Sequence, residues 1–228
     1  MDRWKGKTAV VTGANAGIGA AIAVQLVNAG MRVIGLDVNL LANKKISQAQ
    51  GQGSLHSLHC DVTKSDELTT AFNWIEEQYG CVHVYVNNAG VNIPGHITDV
   101  AGEQISDEQL LRVMNTNSTA TIMGTRLAVA SMKKNSFDGH LIYINSIAGH
   151  YIPTSASFNV YTCSKHAVTA FTRTISPGLV DTAMASGIKD MPSLKADDVA
   201  NTVLYALSVP PNVNISEITI QPVGEKRL

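Results

Sequence analysis

The sequence carries little charge and no excess of either sign. Asp, Glu, Lys and Arg make up 15% of its 228 residues, and the formal net charge is −1. A chain without a basic excess lacks the field that attracts nucleic acid or anionic lipid, so we expect neither as a partner. No apolar run approaches the roughly 20 residues of a membrane span, and the first residues do not form a secretory signal. These absences predict a cytoplasmic protein without a membrane span.

Cysteine is scarce, and its spacing suggests neither a disulfide framework nor a metal site. Cys60, Cys81 and Cys163 lie far apart and form no CxxC pair. This spacing favours buried free thiols in a reducing compartment. The seven histidines show no ligand spacing either, so no metal site is predicted.

Apolar residues are plentiful, at 45% of the chain. Short β-branched runs alternate with longer amphipathic stretches, a pattern typical of βαβ units and a parallel sheet. We therefore predict an α/β fold, with a Rossmann-type, doubly wound parallel sheet in a three-layer α-β-α arrangement. The length fits a single domain over 1–228, with a cofactor-binding part at 1–110 and a catalytic, substrate-binding part at 111–228.

The predicted elements follow this alternation along the chain. Strands are expected at 8–12, 31–36, 55–60, 82–87, 139–145 and 215–222. Helices are expected at 17–29, 65–79, 107–132, from 159 onward and at 196–207, with 38–54 helical or loop. Because the strands of such a sheet end at one edge, the residues that follow them are the candidates for a ligand site.

A glycine-rich turn, T-G-A-N-A-G-I-G at 12–19, links the first strand to the first helix. Gly13, Gly17 and Gly19, with Asn15 and Ile18 between them, form a G-x3-G-x-G pattern in the context that a dinucleotide-binding turn requires. Glycine permits the tight turn and lets backbone N–H groups approach a pyrophosphate at the helix N-terminus. An ordinary structural turn is the alternative.

Residues at the ends of the next strands complete the predicted cofactor site. Asp37 ends the second strand, where a carboxylate can accept hydrogen bonds from the adenosine ribose and repel a 2′-phosphate. It therefore favours NAD over NADP, although a solvated aspartate at a strand end is the alternative. Asp61 and Val62 follow the third strand and are expected beside the adenine. Further cofactor contacts are expected at the end of the fourth strand, from Asn88, Ala89 and Gly90.

The segment Y-T-C-S-K at 161–165 is the strongest indication of chemistry. Tyr161 and Lys165 are four residues apart, and on a helix they share one face. There the lysine cation can stabilise a phenolate and lower the tyrosine pKa from about 10 toward neutral pH. Beside a nicotinamide, such a pair suggests hydride transfer to or from a carbonyl. Taken alone, the same spacing also fits a core tyrosine and a surface lysine.

Together these motifs resemble the short-chain dehydrogenase/reductase family. The glycine turn, N-N-A-G at 87–90, Asn117, Ser146, Y-T-C-S-K and S-P-G at 176–178 occur in that family's order over nearly the whole chain. The segments at 145–150 and 220–225 further resemble its farnesol dehydrogenase and dehydrogenase/reductase member 11 branch. That resemblance implies an NAD(P)-dependent enzyme that interconverts apolar alcohols and carbonyls, such as isoprenoid alcohols and steroids, usually with NADP.

The resemblance also implies a role for each matching residue. Tyr161 becomes the general acid/base, and Lys165 binds the nicotinamide ribose and lowers the tyrosine pKa. Ser146 orients the substrate oxygen, and Asn117 holds a water that connects Lys165 to solvent. Beside these residues, the substrate pocket is expected to draw on Val91, Asn92, Ile93, His150, Tyr151 and Phe158.

The chain departs from the family's pattern after the catalytic helix. The resemblance places a P-G loop, Pro177 and Gly178, against the nicotinamide carboxamide, but Lys165 and Pro177 are only 12 residues apart. Relatives have about twenty more residues there, enough to finish the helix and add a sixth strand. We therefore expect a sheet that lacks its usual sixth strand and a displaced P-G loop. The surface for assembly into a homodimer or homotetramer should also be thinner.

Two other functions follow from the same residues. A cofactor-binding protein of this fold, with catalysis impaired by the deletion, is the alternative to an active enzyme. An epimerase-like enzyme that shares the tyrosine–lysine pair is disfavoured, because the C-terminal region is too short for a nucleotide-sugar lobe.

Overall fold

A computed structural model describes residues 1–39, 52–100, 102–153, 155–172, 175–185 and 191–223, and a five-stranded parallel sheet forms its centre. The strands lie in the spatial order β3-β2-β1-β4-β5. They are β1 (Thr8–Thr12), β2 (Arg32–Asp37), β3 (Ser54–His59), β4 (Val84–Asn87) and β5 (His140–Tyr143). The order reverses between β1 and β4, which is the point where open α/β sheets bind ligands outside the carboxyl ends of their strands.

Helices connect the strands and cover both faces of the sheet. They are α1 (Gly17–Asn28), α2 (Ser65–Tyr79), α3 (Asp107–Met114), α4 (Ala120–Lys134), α5 (Asn159–Phe171) and α6 (Ala196–Ser208). α3 begins at a capping box, in which the Ser106 hydroxyl accepts from Gln109 N and the Gln109 side chain accepts from Ser106 N. Within the described segments, none of the helices has the length and apolar character needed to cross a membrane.

The sheet separates two apolar cores, because successive residues of a strand point to opposite faces. On β1, Val11 belongs to one core with Ile22 of α1 and Val203 of α6. Its neighbour Val10 belongs to the other core, with Phe72 of α2 and part of α4. These side chains are all buried. The arrangement confirms the predicted doubly wound sheet between two helical layers.

The predicted helix at 107–132 is wrong in its middle. A π-helical turn, Asn115–Thr119, separates α3 from α4. Such single π-turns inside helices are frequent at functional sites, and here Asn117 bonds to the backbone of Val91 through both its amide oxygen and its amide nitrogen. The other predicted elements that lie in the described residues have bounds within three residues of the prediction, and β1 and α2 match it. Most of the predicted segment 38–54 lies outside the described residues.

The C-terminal region forms a second, smaller sheet. β6 (Ile175–Pro177) and β7 (Ile218–Ile220) pair in parallel, and neither joins the five-stranded sheet. In the described part of the chain, the main sheet therefore ends at β5, without a sixth strand, as predicted. The sequence predicts no strand at residues 175–177, which pair with β7. Three residues are too few to show a strand period.

Candidate functional site

The glycine turn forms the first wall of a cavity at the carboxyl edge of the sheet. Gly13 adopts a left-handed φ of +64°, and a Cβ on Gly19 would collide with the carbonyl oxygen of Gly13, so both positions require glycine. The N-cap residue of α1 is Ala16, which makes no side-chain capping bond. Gly13, Gly17 and Ile18 line the cavity. Helix N–H groups that face a cavity in this way suit the pyrophosphate of a dinucleotide.

Asp37 lies beside this turn at the end of β2 and lines the same cavity. Its Oδ2 accepts from Asn15 N at 2.9 Å, and its Oδ1 accepts from Asn39 N at 3.0 Å. Two backbone donors thus fix the orientation of the carboxylate. Asn15 contributes to the site through this backbone contact and does not line the cavity.

The loop after β4 is tied to the end of β1. Asn88 N and Ala89 N both donate to the Thr12 hydroxyl at 3.0 Å, and Asn88 Nδ2 donates to Thr12 O at 2.8 Å. Asn88, Ala89 and Gly90 line the cavity next to Gly13. The carboxyl ends of β1 and β4 therefore meet there, as expected for neighbouring parallel strands.

Asp61 and Val62 are not brought into this cavity. Asp61 Oδ1 accepts from both the backbone N and the hydroxyl of Thr63, so the carboxylate closes the turn that precedes α2. Val62 is buried in the core beneath that helix. Their contact with the adenine stays a prediction.

Tyr161 and Lys165 lie on one face of α5 and both line the cavity. The Lys165 ammonium is 5.8 Å from the centre of the Tyr161 ring and donates to Ile144 O at 3.1 Å. Lys165 is 6% exposed, which argues against a surface lysine. The helix thus presents a phenol and a buried cation to the same cavity that the glycine turn lines.

Burial controls the acidity of this pair. It raises the pKa of Tyr161, while a hydrogen bond with the Ser146 side chain lowers it. Burial also lowers the pKa of Lys165 to about 8, so the lysine is still mostly a cation at neutral pH. A nearby cation favours the charged phenolate over the neutral phenol. That attraction opposes the effect of burial, whereas the sequence predicted only a lowered tyrosine pKa.

Ser146 follows β5 and lines the cavity beside Tyr161. It also caps a short 3-10 turn, Ile147–Gly149, because its hydroxyl accepts from Ala148 N at 3.1 Å. Asn117 is buried, and besides its contacts with Val91 it donates to the Ser164 hydroxyl at 2.9 Å. Asn117 therefore joins the loop after β4 to α5 behind the lysine.

The cavity has a volume of about 560 Å³ and extends from the glycine turn to a mostly apolar end. Asn92, Tyr151 and Phe158 line it, in agreement with the pocket predicted from the sequence. Three other residues that were expected in the pocket do not line the cavity. The His150 ring bonds to the Ser176 hydroxyl at 2.8 Å, and Val91 and Ile93 pack in a separate apolar cluster. The apolar end is completed by Ile147, Ala148, Pro153, Leu179, Ala183 and Met184.

Two expectations about other residues are wrong. Pro177 and Gly178 line the cavity, so the short connection after α5 does not displace the P-G loop from the site. The pairing of β6 with β7 holds it there, since Gly178 N donates to Ile220 O at 2.7 Å.

The second wrong expectation concerns Cys163, which is exposed, whereas Cys60 and Cys81 are buried free thiols as expected. Within the described ranges, no group of three His, Cys, Asp or Glu side chains could hold a metal ion.

The sheet order, the glycine turn and the phenol–lysine pair at one edge define a Rossmann-fold oxidoreductase. The chain belongs to the short-chain dehydrogenase family, because the model of that family matches residues 7–189. Members of this family bind NAD or NADP.

Named relatives match nearly the whole chain. Farnesol dehydrogenase of Aedes aegypti is 41% identical over 248 positions that cover 99% of this chain and all of the relative. Dehydrogenase/reductase SDR family member 11 of Gallus gallus is 35% identical and covers 99% of both chains. The first alignment spans 248 positions whereas this chain has 228 residues, so at least 20 positions fall opposite gaps in it. That number agrees with the predicted shortfall; its place between Lys165 and Pro177 stays a prediction.

Solved structures show the same fold. An alcohol dehydrogenase from the archaeon Thermococcus sibiricus, complexed with 5-hydroxy-NADP, superposes with a TM-score of 0.82 at 23% identity over 97% of this chain and 99% of that one. A short-chain type dehydrogenase/reductase from Mycobacterium marinum gives 0.84 at 24% identity over 96% and 95%.

Proposed function

We propose that this chain oxidises an apolar alcohol to its carbonyl with NAD, and catalyses the reverse reduction, with Tyr161 as acid/base. The observation that carries the proposal is that one cavity holds the N-terminus of α1, Asp37, Ser146, Tyr161 and Lys165. The helix end would bind the pyrophosphate, Asp37 the adenosine ribose, and Lys165 the nicotinamide ribose. Pro177 and Gly178 would lie beside the nicotinamide.

The proposed chemistry separates the hydride from the proton. Bound NAD would accept the hydride from the carbinol carbon. The Tyr161 phenolate takes the proton of the alcohol hydroxyl, and Ser146 holds that oxygen by a hydrogen bond. The buried Lys165 cation stabilises the phenolate before the proton arrives. Asn117 would hold the water that returns the proton to solvent, using the lone pair of Oδ1 that Val91 leaves unused.

The walls of the cavity support an apolar substrate. Beyond Tyr161, its lining is dominated by aliphatic and aromatic side chains such as Ile147, Phe158 and Met184. Burial of apolar surface is favourable by about 25 cal/mol per Å². A long isoprenoid alcohol would therefore gain more binding free energy from this lining than a sugar would. The name of the Aedes aegypti relative, farnesol dehydrogenase, supports the same class.

The function is tested by calorimetric titration of the purified chain with NAD, followed by assays with farnesol and with a hydroxysteroid. We expect NAD binding and formation of reduced cofactor with at least one of the two alcohols. Cofactor binding without turnover of either would contradict the proposed enzyme. It would instead support the second candidate, a cofactor-binding protein, which the gaps in the alignment and the detached β6–β7 sheet favour.

We expect NAD to bind at least about tenfold more tightly than NADP, because bringing a 2′-phosphate against the Asp37 carboxylate costs several kcal/mol. Asp37→Ser should weaken NAD binding and remove most of that preference. The control is Asp197→Asn on the exposed first turn of α6, which should change neither affinity. Tighter binding of NADP by the unsubstituted chain would contradict the assignment of Asp37.

A further inference from the structure

The hydroxyl of Thr169 occupies a junction behind the catalytic residues. Thr169 lies one helical turn beyond Lys165 and two turns beyond Tyr161, on the same face of α5. Its Oγ1 accepts from Asn145 Nδ2 at 2.7 Å. As a donor it has two acceptors within reach, Gly149 O at 2.9 Å and Lys165 O at 3.2 Å. One hydroxyl therefore bonds to the loop after β5 at two points and to the catalytic helix at a third.

These two loop contacts flank Ser146 in sequence. Asn145 precedes it and is 3% exposed, and Gly149 ends the 3-10 turn that the Ser146 hydroxyl caps. Gly149 N also donates to Ser146 O at 2.9 Å, which closes the turn. The segment that carries Ser146 is thus attached to α5 on both sides of the serine.

The backbone of Gly149 packs so closely against Asn145 and α5 that no side chain fits at this position. A Cβ on Gly149 would lie 2.6 Å from Asn145 Nδ2, 2.8 Å from Thr169 Oγ1 and 2.9 Å from Lys165 O. The backbone of the turn is therefore pressed directly against the helix. On the other side of Ser146, the Lys165 ammonium donates to Ile144 O, but Lys165 also has a role in the proposed chemistry, whereas Thr169 has none.

We propose that Thr169 and Asn145 are positioning residues that hold the Ser146 turn against α5, and so fix the distance between the Ser146 and Tyr161 hydroxyls. The inference rests on the proposed function, in which both hydroxyls contact the substrate oxygen. A displacement of about 1 Å at a reacting centre can lower a rate by a factor of about 100. Thr169 touches neither substrate nor cofactor in this account.

The test is Thr169→Val, which removes the hydroxyl with little change in volume. We expect kcat for farnesol oxidation to fall about tenfold to a hundredfold, while the NAD dissociation constant from calorimetry stays within about twofold. The pH at which kcat is half-maximal should also rise, because a displaced Ser146 no longer lowers the Tyr161 pKa. Thr169→Ser keeps the hydroxyl and should restore both the rate and the pH profile.

Thr172→Val is the matched control. Thr172 directly follows α5, and its hydroxyl donates to Val168 O one turn earlier in the same helix, so kcat and the pH profile should not change. If Thr169→Val does not fold, Asn145→Ala serves in the same assays and should lower kcat in the same direction. An active unsubstituted chain together with an unchanged kcat in the threonine or asparagine variant would overturn the positioning role alone. Inactivity of the unsubstituted chain would overturn the proposed function, and the positioning role with it.

Discussion

Tyr161→Phe should lower kcat by about 10³-fold, with little change in NAD affinity. The expectation follows from the position of the phenol in the cavity beside Ser146 and Lys165. The substitution removes the group that takes the substrate proton, and such general bases contribute factors of about 10² to 10⁴. Cofactor contacts from the glycine turn and Asp37 stay intact. Initial rates of NAD reduction and calorimetric titration measure the two quantities.

The control for this substitution is Tyr205→Phe. Tyr205 lies on α6 and is 60% exposed, so loss of its hydroxyl should leave kcat unchanged. Equal activity of Tyr161→Phe and the unsubstituted chain would remove Tyr161 from the mechanism. A parallel loss of NAD affinity would mean that the substitution disturbs the cofactor site and would leave the assigned role without support.

Lys165→Met should stabilise the folded chain and inactivate it. Burial lowers the pKa of Lys165 from its ordinary value of 10.5 to about 8, which corresponds to a cost of about 3 kcal/mol for holding the charge in the fold. Loss of the hydrogen bond to Ile144 O offsets about 1 kcal/mol of the gain. Near pH 7 we expect a melting temperature about 5 °C higher. We also expect kcat to fall at least about 100-fold, because the phenolate loses its cation.

The stability difference should depend on pH in one direction. Because the folded-state pKa is below the unfolded one, the cost of the charged lysine is fully present below pH 8. It decreases as the pH rises from about 8 to 10.5. The melting-temperature advantage of Lys165→Met should therefore shrink over that interval. Lys133→Met, at an exposed position of α4, should show no such dependence. A variant less stable than the parent at pH 7 would contradict the account of Lys165.

Hydrophobic pattern alone predicted the main sheet and its helices well. The β1 run from Thr8 to Thr12 is buried throughout, and a continuous apolar strand followed by a glycine turn leaves few alternatives to a parallel sheet. The π-turn at Asn115–Thr119 was missed, since it depends on contacts between Asn117, Val91 and Ser164 that are distant in sequence. The short strand Ile175–Pro177 was missed because its partner lies some forty residues later and three residues show no period.

The site was predictable where one helix or one turn carries it. Tyr161 and Lys165 share a face through helical spacing, and Asp37 lies beside the glycine turn because adjacent parallel strands end together. Thr169 was missed, although its position four residues after Lys165 was a signal that could have been used. The Tyr161 pKa was predicted to fall, but burial raises it. Burial is a property of the assembled fold, and neighbouring residues in the sequence do not reveal it.

The most direct test uses farnesol that carries deuterium on its carbinol carbon, incubated with NAD and the full chain. Mass spectrometry of the recovered cofactor then shows whether that deuterium has moved to the nicotinamide. We expect deuterated reduced cofactor from the unsubstituted chain and only a trace from Tyr161→Phe. Recovery of unlabelled, oxidised cofactor from a folded chain that binds both NAD and farnesol would contradict alcohol oxidation in this cavity.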